Sequence, residues 1–295
     1  MRLFPVFFSF RIEETAFSRY IVYGKECEMS VLNLLFIGDV VGKGGRTAVR
    51  EMVPELRREF NCSFVVANAE NCANGSGMTA ACLKEMPGVD IFTSGDHTWD
   101  QKGFESEIRN IDNLVRPANY SSLQPGCGWR RMRNPAGGEV AVIALQGKVF
   151  MKESAYCPFE TAERILKEIP LTCKCIIVDI HAEATSEKAA MAWMLDGRVT
   201  AVIGTHTHVQ TNDARVLPQG TAFLSDAGMV GSNDSILGRE VDAVVSKFRT
   251  GMPHRFPVCE RNIRLDCAVI SYDPATGKAL SVKPVSRMFN MENIG

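Results

Sequence analysis

Short apolar runs rich in Val, Ile and Phe recur along the chain at 32–37, 64–67, 89–93, 140–145, 175–180, 199–203 and 221–224. Each is bounded by polar or turn-forming residues and reads as a buried strand. Between the runs lie stretches of helical period or composition, at 47–60, 79–86, 101–111, 158–169, 186–196 and 239–249, which predict helices. Strand and helix alternate through most of the chain, and this alternation predicts an α/β layered fold. A last pair of apolar runs, 267–272 and 280–285, flanks the turn-rich DPATGK (273–278) and predicts a hairpin. No internal repeat or linker interrupts the pattern, so one domain is expected over residues 29–295, with residues 1–28 as an N-terminal extension. Within that extension, 3–10 has the apolar character of a short signal-peptide core. Pro5 breaks it, and no small-residue cleavage site follows.

At 295 residues the chain can bury a full core without metal or disulfide staples. A formal net charge of −1 leaves no basic footprint for a long nucleic-acid polymer. A small phosphorylated ligand stays open, as does a homo-oligomer. No stretch approaches the ~20 apolar residues of a membrane helix. Ten cysteines without a CxxC pair, several inside apolar runs, fit buried reduced thiols and a cytoplasmic location. Trp99, Trp129 and Trp193 read as core residues.

The residues that follow the strands carry the chemistry. Asp39 comes after the first run, Glu70 and Asn71 after the second, Asp96 and His97 after the third. His181 and Glu183 follow 175–180, and His206 and His208 follow 199–203. In α/β sheets ligands bind beyond the carboxyl ends of strands, where residues distant in sequence converge. Four of the five histidines sit at such ends. In extended backbone His206 and His208 would share one face. Singly, Asp39 reads as a helix cap and Glu70–Asn71 as turn residues. Random caps, however, have no use for imidazoles. Three carboxylates, an amide and the imidazoles make a mixed oxygen and nitrogen set suited to Mn, Fe, Zn or Co, and the lack of Cys disfavours a structural zinc site. Seven donors exceed what one open ion uses, whereas two ions sharing a carboxylate use them comfortably. Such pairs clamp phosphoryl oxygens, so hydrolysis of a phosphate ester is expected. The glycine-rich 41–46 lacks phosphate-loop spacing and reads as a strand-to-helix turn, with Lys43 and Arg46 facing solvent. Asp100, Asp179, Glu183, Glu187 and Asp226 lie near the site in sequence. Some of them could orient imidazoles, but most read as caps or solvent contacts.

Taken together, GDVVG (38–42), NAEN (68–71), GDHTWD (95–100), DIHAEATSEK (179–188), GTHTHVQT (204–211), GTAFLSDAGM (220–229) and FRTGMP (248–253) resemble the YmdB-like family of calcineurin-like metallophosphoesterases. The likeness spans about residues 31–287. It implies a single-domain, four-layer α/β/β/α sandwich, a dinuclear metal centre and phosphodiesterase activity on small diesters, 2′,3′-cyclic nucleotides foremost. By position it implies that Asp39, Asn71 and His208 hold one metal ion, and that Asp96, His181 and His206 hold the second. Glu70 would bridge the two, and His97 would be the general acid. The ions expected are Fe or Mn, with Zn as an alternative. The family pattern has Asn where this chain has Asp96. The extra carboxylate should tighten metal binding and make bound water less acidic. A phosphomonoesterase or nucleotidase on the same metals is the alternative within the enzyme class. A regulatory scaffold with a vestigial site is the alternative outside it.

Overall fold

Two β-sheets stack face to face in the computed structural model, which describes residues 19–22, 25–28, 30–151 and 155–289. The reading of residues 3–10 lies outside these. Backbone strands Arg19–Val22 and Lys25–Glu28 pair antiparallel as a small separate hairpin.

The first large sheet has eight strands. Asp39–Val40, Met229–Ser232, Ile263–Tyr272, Leu32–Ile37, Cys62–Asn68, Ile91–Thr93 and Leu114–Val115 lie in that order, with Ala279–Met288 also paired to Ile263–Tyr272. The second sheet has six strands in the order Arg215–Val216, Ala222–Leu224, Ala201–Thr205, Cys175–His181, Glu139–Gln146 and Trp129–Arg133. Its four central strands are parallel. Each is covered on both faces, which is why these strands read as continuous apolar runs and not as alternating ones. The predicted hairpin forms, and so does every predicted strand within a few residues. Five short strands of the two large sheets are not foreshadowed by any apolar run: Asp39–Val40, Leu114–Val115, Trp129–Arg133, Arg215–Val216 and Met229–Ser232. Asp39–Val40 and Met229–Ser232 gain each other as partners across the chain, and the other three pair with the strand next to them in sequence.

Three buried clusters define four layers. Leu34, Phe36, Phe64 and Val66 of one sheet meet Val142, Ala144, Ile177 and Ile203 of the other. Outside the first sheet, Ala48, Val49, Val53 and Leu56 line the inner face of helix Gly42–Glu59. Outside the second, Ala162 and Ile165 of helix Pro158–Glu168 and Met191 and Ala192 of helix Thr185–Met194 close the sandwich. Full burial of one such Val, Leu or Ile side chain contributes about 1.5–3 kcal/mol, so many of them hold both sheets rigidly. The α/β/β/α expectation is met. No described helix is long and apolar enough to cross a membrane.

Two details differ from expectation. Helix Gly42–Glu59 starts earlier than 47, so the glycine-rich stretch forms its first turn. Arg46 is therefore not solvent-facing: its Nε donates to Glu85 Oε2 at 2.8 Å and its Nη1 to the Cys72 carbonyl. Trp193 is exposed rather than core, and Trp99 and Trp129 are partly buried.

Candidate metal centre

The parallel register brings the strand ends together. His181 lies opposite Thr205 on one side and Gln146 on the other, while Asn68 lies opposite Thr93 in the facing sheet. Around the His181 ring, Nε2 stands 3.0 Å from Glu70 Oε1, 3.0 Å from Asp96 Oδ1 and 3.0 Å from His206 Nδ1. His206 Nδ1 is 3.4 Å from the same Asp96 oxygen. One imidazole nitrogen has a single proton or a single lone pair, and cannot satisfy three partners. Donor atoms about 2.1 Å from a common ion, at right angles, stand about 3.0 Å apart. All four donor atoms lie within 4.8 Å of one another, a spacing that an ion fits.

Asp39, Asn71 and His208 form an adjoining group. Asp39 Oδ1 is buried and has no hydrogen-bond partner among the described residues. Its nearest imidazole nitrogens are His208 Nε2 and His181 Nδ1, each at 3.9 Å. Leaving an ionised oxygen buried and unbonded is costly, and a cation at this point removes the cost. Asn71 Nδ2 lies 3.2 Å from His208 Nε2 and 3.4 Å from Glu70 Oε1. Turning that amide over would place its oxygen toward the same point, the orientation a metal requires.

Hydrogen bonds behind the imidazoles fix which nitrogen faces inward. Thr205 Oγ1 donates to Asp179 Oδ1 at 2.7 Å, so toward His181 Nδ1, 2.9 Å away, it can only accept. Nδ1 therefore carries a proton and Nε2 faces the acids. Asp179 is itself buried and also receives Thr93 Oγ1 and, at 3.1 Å, Asn68 Nδ2. His208 Nδ1 donates to the Leu237 carbonyl at 3.1 Å, which leaves Nε2 its lone pair. His206 places Nε2 3.2 Å from Glu183 Oε2 and turns Nδ1 inward. Partners of this kind orient metal-binding histidines.

The reason expected for pairing His206 with His208 is wrong. Strand Ala201–Thr205 stops before them, and their φ angles are 102° and 61°. This left-handed backbone, which costs a non-glycine residue about 1–3 kcal/mol, sends the two rings to different groups instead of one face. Gly95 meets a different demand. A Cβ there would lie 2.1 Å from His181 Cδ2 and 2.4 Å from Glu70 Oε2, so only glycine lets Asp96 approach.

Electrostatics follow from this crowding. Burial, with Glu70 and Asp226 nearby, pushes Asp39 well above the usual carboxylate range despite His181. Burial also raises Asp96, but bonds to His181 and His206 outweigh it and hold the group well below that range. Glu70 is likewise pulled down by His181 against burial. For His181, burial favours the neutral ring, yet Glu70, Asp96 and Asp39 together raise its pKa well above 6.5. Burial takes His208 down to about 4, which keeps it neutral and ready to ligate.

All seven expected ligand residues thus meet at one end of the sandwich, Glu70, Asp96, His181 and His206 as the tightest group. His97 stands beside them, its amide 3.3 Å from Glu70 Oε2. Its Nδ1 is 2.7 Å from Asp100 Oδ2 and 3.1 Å from Ser76 Oγ. The cap explanation for Asp39 fails, because the following helix has Val41 at its N-cap and no side-chain cap bond. Reading most of the nearby acids as caps or solvent contacts is also corrected. Asp100, Asp179 and Glu183 touch site imidazoles directly or through Thr205. Glu187 instead receives the Lys148 and Val149 amides. Thr205, Thr93, Asn68 and Ser76 were missed. A carboxylate inside the apolar run CIIVDIH, which demands buried donors, was the available signal for the first three.

A stacked α/β sandwich with acids and imidazoles converging at its strand ends is the architecture of a metallophosphoesterase. A family model described as YmdB-like protein matches residues 35–285, and the chain belongs to that family. It is 43% identical over 256 residues to the 2′,3′-cyclic-nucleotide 2′-phosphodiesterase of Bacillus subtilis (strain 168), covering 86% of this chain and 96% of that protein. Among solved structures, a hypothetical protein from Thermus thermophilus superposes with a TM-score of 0.82 at 35% identity, over 88% of this chain and 100% of that one. A novel phosphatase from Mycoplasma pneumoniae gives 0.81 at 31% identity, over 88% and 94%.

Proposed function

We propose that the chain is a metal-dependent phosphodiesterase of small diesters, 2′,3′-cyclic nucleotides foremost, with residues 29–295 as one catalytic domain and the cytoplasm as its location. In this reading Asp39, Asn71 and His208 hold one ion, Asp96, His181 and His206 hold a second, Glu70 spans both, and the ions are Fe or Mn. The observation that carries it is the unmet valence of the site: three partners around His181 Nε2 and an orphaned Asp39 oxygen beside it. The activity for which the Bacillus subtilis relative is named supports the substrate class. Nine free cysteines among the described residues support the location.

Ions held here would supply positive charge to the phosphoryl oxygens and acidify water. The protein's own contributions are separate. Asp100 anchors His97 Nδ1 at 2.7 Å and the His97 amide lies 3.3 Å from Glu70 Oε2, so the ring is fixed beside the donor group, where His97 can hand a proton to the departing sugar oxygen. Ser76 Oγ donates to Asp100 and keeps that carboxylate in place.

Chelated protein should lose hydrolysis of bis-p-nitrophenyl phosphate and of 2′,3′-cyclic AMP, and recover both with Mn(II). Full activity in chelator would refute the reading, and turnover of phosphomonoesters alone would replace the diester assignment. His97→Ala should lower turnover about 10²–10⁴-fold while bound metal is unchanged. Loss of metal would make His97 a ligand.

A further inference from the structure

Lys188 and Asp226 are both buried, at 0% and 1% exposure, and hydrogen-bond to each other, and Asp226 to backbone amides, instead of to the donor atoms described above. Lys188 Nζ donates to Asp226 Oδ2 at 2.9 Å. The same oxygen accepts the Thr207 amide at 3.0 Å, and Oδ1 accepts the Gly228 amide at 2.9 Å. Thr207 is the residue between His206 and His208. We propose that this buried ion pair is a positioning device for the metal centre. By gripping the Thr207 amide it holds both flanking imidazoles in their left-handed backbone and directs one ring to each donor group.

Packing alone gives no reason for charge at this place. An apolar pair of similar size is often as stabilising as a buried ion pair, or more so. What an apolar pair lacks is a group that accepts from two separate amides, and an Asn side chain offers only one acceptor oxygen. A carboxylate meets both, and in the interior it needs a cation to stay ionised. The surrounding chain is shaped to admit that cation. A Cβ at Gly204 would lie 2.8 Å from Lys188 Cδ and 1.8 Å from the Ser225 carbonyl, so glycine here lets the lysine stem pass beneath the loop. Lys188 stands on helix Thr185–Met194, just after His181 and Glu183. One segment therefore supplies a donor, the partner of His206 and the cation under the loop.

The inference rests on the reading that these imidazoles hold metal. It is tested by titrating Co(II) into chelated protein and following visible absorption, which reports ligand geometry, with thermal unfolding of the metal-free chain alongside. Asp226→Asn and Lys188→Met should each weaken Co(II) binding by about 10–100-fold and alter the spectrum. The double variant Lys188→Met/Asp226→Leu keeps an apolar filling but leaves the Thr207 and Gly228 amides without their acceptor, so it should melt lower than wild type yet still fold without metal, and should bind Co(II) only weakly. A double variant that binds within threefold of wild type with an unchanged spectrum overturns the proposal. So does one that cannot fold without metal, because the pair would then be holding the fold. Wild type that binds no Co(II) would instead sink the metal reading, and this inference with it.

Discussion

Replacing Thr205 with Val deletes one oxygen from the wall behind His181 and changes little else in shape. His181 Nδ1 then faces a methyl group inside a fully buried site, and Asn68 Nδ2, 3.5 Å away, is a donor that cannot take its place. Asp179 keeps Thr93 and Asn68 but loses the bond at 2.7 Å from Thr205. A buried group left unsatisfied costs about 1–3 kcal/mol, and with about 2 for the ring and about 1 for the carboxylate the loss is about 3 kcal/mol. At ~2–3 °C per kcal/mol for a chain of this size, the metal-free melting temperature should fall by about 5–10 °C. The larger effect is on ligation. Without an acceptor at Nδ1 the ring can move its proton to Nε2, the nitrogen that faces the acids, and Mn(II) affinity should drop about 10–100-fold. Calorimetric titration of chelated Thr205→Val, Thr205→Ser and wild type measures this directly. Thr205→Ser retains the hydroxyl and should bind like wild type. Equal affinity in wild type and Thr205→Val, or equal damage from Val and Ser, would refute the orienting role.

Three further outcomes are expected. Gly95→Ala drives a methyl into His181 and Glu70, so metal content by mass spectrometry should fall at least about tenfold while the melting temperature moves only a few degrees. Near-stoichiometric metal would contradict the contact. Asp96→Asn removes one negative charge from beside His181 and His206, so Mn(II) should bind more weakly and the acidic limb of the rate profile should move to lower pH; a shift to higher pH refutes the charge argument. The Cys72 thiol donates to Cys82 and, with Thr79 and Arg46, lowers Cys82 to about 6, against burial. The sign follows: the stabilisation from the Cys82 thiolate is present at alkaline pH and is lost as pH falls through about 6. Alkylation by iodoacetamide, read by peptide mass spectrometry, should be half-maximal near pH 6, and a midpoint near the ~8.5 of a free thiol counts against the pair.

Much of this architecture is legible without coordinates, because apolar runs such as 32–37 and 175–180 have no other stable use than as buried strands. Placing Asp39, Glu70, Asn71, Asp96, His181, His206 and His208 at strand ends then follows from chain order alone. The exceptions are instructive. Strand Met229–Ser232 is short and contains Gly231, and Trp129–Arg133 carries three arginines. Both exist because neighbouring strands offer hydrogen bonds, which no local pattern records.

The sequence by itself determined the α/β alternation and the chemical identity of the donors, since both depend on composition and alternation within a few residues, whereas the four-layer order was legible only through the family resemblance. Tertiary structure decided which donor faces which neighbour. The two-residue period of a strand put His206 and His208 on one face, but positive φ at both separates them, and that backbone is tolerated only because distant groups hold it. Asn68 meets Asp179 across 111 residues, and His206 N reaches Asp39 across 167. Bonds of such reach are set by sheet register and layer packing, where the free energy of burying whole sheets fixes positions that local preferences leave open.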